Sequence, residues 1–188
     1  MGERLRLFVA VDVPDDHLAR VEGVTAELRK RLAGARWTPP ANQHITLKFL
    51  GATAEDDLPD VKHVCAGVAG AHSSAMINLS GLGAFPNARR ARVVWMGIND
   101  PDDLLGRLAA ALDEGLRVLG FAAEERAYTP HLTLARLKSP APVGDLATTL
   151  PEADWEPIEV DHLSLYRSRL SPRGAVYELL EKFPLALR

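Results

Sequence analysis

His44-Ile-Thr-Leu-Lys-Phe-Leu50 and His131-Leu-Thr-Leu-Ala-Arg-Leu137 both read His–aliphatic–Thr–Leu–x–x–Leu, and the second begins almost half a chain after the first. The alternation of polar and apolar residues marks each as a β-strand with one buried face. Residues i and i+2 share a face of a strand. His44 and Thr46 therefore point one way and Ile45 and Leu47 the other, and His131 and Thr133 oppose Leu132 and Leu134 in the same manner. A face of His and Thr costs little in a wet cleft. It costs more in a dry core, where each polar group needs a partner. The repetition implies two related lobes.

Two such strands facing across a pseudo-two-fold axis would gather two imidazoles and two hydroxyls around one small volume. That set suits phosphoryl chemistry. One imidazole can take a proton from an attacking water and the other can give one to a leaving alkoxide, because an ordinary imidazole titrates near neutrality. The Thr46 and Thr133 hydroxyls can donate to non-bridging phosphoryl oxygens. The chemistry needs no metal and no cofactor, and the pattern offers no convincing metal site. The spacing alone leaves open which histidine is acid and which is base.

Outward from the motifs, the chain reads as mixed strands and helices. Leu5–Val13 is expected as a buried strand, closed by Pro14, and Asp15 and Asp16 suit the first turn of a helix that Gly34 can stop. A second helix is expected over Glu55–Ala69, and strands over 77–82 and 92–98. Asn99–Asp103 starts a third helix, along which Leu105, Leu108, Leu112, Leu116 and Leu119 keep a helical stripe. Strands over 160–166 and 175–180 close the chain. The fold class is α+β, with helices covering mostly antiparallel sheet. A doubly wound nucleotide fold fits less well, because no Gly-rich phosphate loop follows the first strand.

The 188 residues are 47% apolar and 25% charged, enough for one domain with a real core. Lys and Arg number 22 against 25 Asp and Glu, which excludes a generally basic nucleic-acid coat but not a local basic site. The single Cys65 excludes an internal disulfide and a multi-cysteine zinc site. No apolar run is long enough to span a membrane. The apolar run before Pro14 is short and broken by Asp12, so no signal peptide is expected, and Arg6 breaks the myristoylation pattern after Gly2. A cytoplasmic monomer is the expectation.

The two motifs resemble the paired His-x-Thr-x signatures of the two-histidine (2H) phosphoesterase superfamily. The likeness extends to Arg4–Pro14, Trp37–Gly51, Gly83–Gly97 and Tyr128–Arg136, and so covers most of the chain. It is closest to the RNA 2′,3′-cyclic phosphodiesterase branch, called LigT or ThpR. The resemblance implies a single domain over 1–188, bilobal, with two pseudo-symmetric lobes around a central cleft and one motif on each. It implies metal-independent opening of a 2′,3′-cyclic phosphate to a 2′-phosphate, and for some members 2′–5′ joining of tRNA halves. It implies that His44 is the proton donor to the leaving 3′-oxygen and His131 the acceptor from water.

Four further residues are candidates for holding substrate. Arg92, in a cluster with Arg89 and Arg90, would anchor phosphates of the RNA end, and Phe85 would lie under a base. Strand parity places Arg92 and Trp95 on opposite faces. Arg136 lies at an odd offset from His131, on the far face unless the strand twists, so a structural salt bridge competes with substrate contact. Lys48 shares the face of His44 and Thr46 and could reach the cleft rim; its plain alternative is a surface lysine. Phe8 reads as core or a base platform, and Tyr166, Arg167, Ser168, Arg169 and Arg173 as an RNA grip or an exposed patch. His17, His63 and His72 carry no paired ligands. Rival functions are the same chemistry on 2′–5′ oligonucleotides or a small cyclic nucleotide such as ADP-ribose 1″,2″-cyclic phosphate, a non-catalytic RNA-end binding module, and a metal hydrolase. Retention of both His and both Thr disfavours a mere binder. His-x-Thr is not a usual ligand spacing.

Overall fold

A computed structural model describes residues 4–144, 155–172 and 174–187. The β-rich opening forms β1 (Arg4–Val11). Pro14 ends it, and α1 (Asp15–Arg31) follows, with Asp15 and Asp16 in its first turn and Arg29, Lys30 and Arg31 in its last. Those charges complement the helix dipole at both ends. Gly34 takes the left-handed conformation (φ +79) that ends the helical run. A two-residue strand, β2 (Arg36–Trp37), precedes β3 (Ile45–Ala54), which carries the first motif. A short 3-10 turn leads into α2 (Leu58–Gly70), then β4 (Ala75–Phe85) and β5 (Ala91–Asn99) form a hairpin. The Asp100 carboxylate accepts the amides of Leu104 and Leu105, at 3.0 and 2.7 Å, and so starts α3 (Leu104–Val118). The second motif opens β6 (His131–Ala141), and β7 (Ile158–Val160), β8 (His162–Ser171) and β9 (Gly174–Pro184) complete the chain.

The strands join in one curled, half-barrel sheet, in the order β7-β4-β5-β6-β3-β1-β8-β9, with β2 on β6. The named strands pair antiparallel throughout. The motif repeat and the family resemblance lead to an expectation of two pseudo-symmetric lobes of mostly antiparallel sheet. The structure has one sheet, and its two motif strands meet at its middle through a single pair, Ile45 with Leu132. The connections cross between the halves. β1–α1–β3 and β5–α3–β6 are matching units, but β8 and β9 pack beside β1, and β4 beside β5.

One face of the sheet is apolar. Val9, Val11, Ile45, Leu47, Val94, Met96, Leu132 and Leu134 meet Leu18, Val21 and Leu28 of α1, Val61 and Cys65 of α2, and Leu105, Leu108 and Leu112 of α3 in one core. Each leucine buried in this way contributes about 1.5–3 kcal/mol. Cys65 is part of that core, and burial pushes its thiol up to about 12, where it is inert. The other face is left to the polar residues of the motifs. No helix among the described residues is long and apolar enough to cross a membrane.

Candidate active site

The antiparallel pair Ile45–Leu132 sets the geometry of the site. One residue further along each strand, the register opposes His44 to Thr133 and Thr46 to His131. All four side chains line one small cavity of about 80 Å³, with Phe49 and Arg136. It opens on a larger cleft of about 850 Å³ that shares Thr46, Phe49 and His131 and is walled by Phe85, Arg92 and Arg126.

A matched irregularity shapes both motif strands. Val9 pairs with Lys48 but Ala10 with Thr46, so Leu47 is an extra residue in β3. Val94 pairs with Ala135 but Trp95 with Thr133, so Leu134 is an extra residue in β6. Each β-bulge falls on the fourth position of its motif and reverses the parity of the residues beyond it. Residues 44–50 and 131–137 consequently share one pattern of burial, position by position.

The bulges correct two expectations. Lys48 does stand in the wall of the larger cleft, but it is 4% exposed and its amine is spent on the Asp113 carboxylate of α3 and the Ala122 carbonyl. It is neither a surface lysine nor a free cation for substrate. Phe49 lines the small cavity instead and is 63% exposed. Arg136 is the equivalent residue of the second motif, and the bulge brings it to the His131 face. A third correction concerns β5. Its register with β6 breaks between Ala91 and Val93, so Arg92 lines the cleft while Trp95 packs beside His131, against the simple parity rule.

Aromatic walls hold both imidazoles. Phe8 stacks on His44 with centroids 4.7 Å apart, and Tyr177 meets that ring edge-on at 5.2 Å. Phe85 meets His131 edge-on at 5.0 Å, and Trp95 lies 6.0 Å away. The Trp95 indole covers Gly83, where a Cβ would stand 2.2 Å from its ring; only glycine leaves that space. Each histidine also bonds the backbone two residues upstream: His131 Nδ1–H donates to the Thr129 carbonyl at 2.7 Å, and His44 bonds Asn42. The Tyr128 hydroxyl donates to the Thr46 carbonyl at 3.1 Å and ties the two motif regions together.

Burial pushes the His44 imidazole down to about 4, against the Asn42 bond and the negative charge of Asp12, while nearby His131 lowers it further. Burial also lowers His131, with the Thr129 bond opposing and the Arg136 charge adding. Both rings are therefore neutral in the free protein near pH 7.

Other candidates scatter. Arg89 and Arg90 lie on the exposed turn, where their amides bond the Asn87 side chain. Arg169 pairs with Glu178 at 2.9 Å, and Arg173 lies outside the described residues. Phe8 is buried, a platform for His44 rather than for a base. Tyr166 turns to Asp12. His17 and His72 bond the carbonyls of Glu156 and Val68. Among the described residues, no group of three or more His, Cys, Asp or Glu could hold a metal ion. Sequence reading missed Phe49, Tyr177 and Arg126; an aromatic just past the first motif was the only local sign of Phe49.

The model of the 2′-5′ RNA ligase superfamily matches residues 13–171. An RNA 2′,3′-cyclic phosphodiesterase of Methanothermobacter thermautotrophicus is 34% identical over 188 residues, covering 97% of this chain and 100% of the relative. One from Archaeoglobus fulgidus is 36% identical over 180 residues, covering 95% and 99%. The crystal structure of E. coli LigT complexed with 3′-AMP matches with a TM-score of 0.81 at 25% identity, over 97% of this chain and 99% of that one. The chain belongs to the 2′-5′ RNA ligase superfamily of two-histidine phosphoesterases, among its RNA 2′,3′-cyclic phosphodiesterases.

Proposed function

We infer that this chain opens 2′,3′-cyclic phosphate ends of RNA to 2′-phosphates by two-histidine acid–base catalysis. The observation that carries the reading is the convergence of His44, Thr46, His131 and Thr133 on one cavity through two identically bulged strands. His131 suits the base. Its Nδ1–H is committed to the Thr129 carbonyl, so Nε2 offers a lone pair to water. The water oxygen bonds to phosphorus, the P–O3′ bond breaks, and His44 delivers its proton to the leaving 3′-oxygen. His44 is neutral when the site is empty, and the anionic phosphate supplies the charge that draws a proton onto it. The Thr46 and Thr133 hydroxyls donate to the non-bridging oxygens.

Arg136 sits beside this centre, and Arg92 and Phe85 in the adjoining cleft hold the nucleotide. With a ribose 5′-hydroxyl in place of water, the same groups form a 2′–5′ linkage, the transfer named by the family description. RNA ends, tRNA halves among them, are the partners in this reading. In this reading the protein works as a cytoplasmic monomer, one domain with a motif on each side of the central cleft.

The test is turnover of an oligoribonucleotide ending in a 2′,3′-cyclic phosphate, with EDTA present and the product isomer identified. A 2′-phosphate product, lost in His44→Ala and in His131→Ala, is expected. No turnover by folded protein, or near-normal turnover in either variant, overturns the reading.

A further inference from the structure

One carboxylate on the cleft face collects four side-chain donors from two other strands. Asp12 follows β1, and its Oδ2 accepts from His162 Nε2 and Ser164 Oγ, both at 2.9 Å, and from Lys182 Nζ at 3.0 Å. Its Oδ1 accepts the Tyr166 hydroxyl at 2.6 Å. Burial alone would raise this carboxyl, but the bonds from His162, Tyr166, Lys182 and Ser164 outweigh it and hold the group well below the usual carboxylate range. Bonding to Asp12 raises His162 against its burial, and Asp161 on the other ring nitrogen adds to the effect.

The cluster connects to the site through rings. Tyr166 stacks on Phe8, with centroids 5.3 Å apart and planes 15° from parallel, and Phe8 stacks on His44 at 4.7 Å and 25°. Tyr177 closes the edge of both Phe8 and His44.

We propose that Asp12 and Tyr166 are positioning residues for His44: the carboxylate clamps the Tyr166 hydroxyl, the Tyr166–Phe8 stack sets the angle of the imidazole, and the same carboxylate holds a negative charge behind the ring that gives up its proton. This rests on the reading of His44 as proton donor. A displaced donor is costly, since misplacement by about 1 Å can cost roughly a hundredfold in rate. A negative charge nearby favours the protonated ring. Among the described residues, the charged or titratable groups around His44 and its clamp include His131 and Arg136 across the cavity, His162 from β8 with Asp161 on its other nitrogen, Lys182 from β9 and Asp12 itself. His162 and Lys182 face Asp12 and keep it ionised.

The experiment is an NMR titration of the His44 ring in the free protein, with kcat and KM measured on the cyclic-phosphate oligonucleotide. Asp12→Asn should lower the His44 midpoint by roughly half a pH unit, and kcat/KM near neutrality by roughly threefold. Tyr166→Phe keeps the ring and drops only the clamp; it should lower kcat several-fold with KM unchanged. An unmoved His44 midpoint in Asp12→Asn, with only a lower Tm, overturns the proposal. If Asp12→Asn does not fold, Tyr166→Phe decides: unchanged kcat overturns the proposal as well. The titration needs no substrate, so it stands or fails separately from the cyclic-phosphate reading.

Discussion

Around His44 the ring stack leads back to a carboxylate, whereas around His131 the rings are Phe85 and an indole over glycine, and the charge that acts on the imidazole is an arginine. The strands that carry the two histidines are the same device used twice, down to a bulge at the same motif position. The like strands bring the two imidazoles together, and burial lowers both, with Asp12 opposing that at His44 and Arg136 adding to it at His131.

Removing either member breaks the comparison most severely. His44→Ala and His131→Ala should each cost roughly 10²–10⁴-fold in turnover with the fold retained, and the double variant far less than the product of the two, as read by single-turnover rates. Next come the hydroxyls. Thr46→Val and Thr133→Val keep the strand shape and remove one donor each, so a loss of roughly tenfold to a hundredfold is expected, mostly in kcat. The pH profile sharpens the contrast between the rings. His44 must carry a proton and His131 must not, so kcat/KM should be bell-shaped, with its maximum between about 4 and the ordinary imidazole value of 6.5. Substrate anion raises His44, so the kcat profile should lie at higher pH than that of kcat/KM. A flat profile across that window would remove the two-histidine assignment. The smallest effect on rate should come from Lys48→Met. It leaves the Asp113 carboxylate without its buried partner and should lower stability by about 1–3 kcal/mol, while turnover per folded molecule changes little. Urea melts and active-site titration separate the two.

Much of this was legible in the sequence. Period-two alternation put His44 with Thr46 and His131 with Thr133, and the leucine stripe of α3 was plain. Alternation failed just past the motifs, because a bulge is a matter of register between strands and leaves little trace in one strand. Leu134-Ala135, two consecutive apolar residues that are both buried, is its one sign; in the first copy the equivalent Leu47-Lys48 hides it behind a lysine. The Arg36–Trp37 strand is too short to have a period. The Asp12 cluster joins residues 12, 162, 164, 166 and 182, and no local pattern announces a meeting across that separation.

The crossed connections bear on how the protein is made. A ribosome that has released β6 has already delivered both motifs, yet the strands bearing Tyr166 and Tyr177 have still to emerge. Until β8 and β9 dock, one side of β1 is an open edge, Asp12 lacks its donors and His44 lacks half its brace. The surroundings of His44 are thus completed later than those of His131, by β8 and β9. A nascent or truncated chain ending before β8 would hold both His-x-Thr pairs and the walls of His131, but not the Tyr166 and Tyr177 side of the His44 brace.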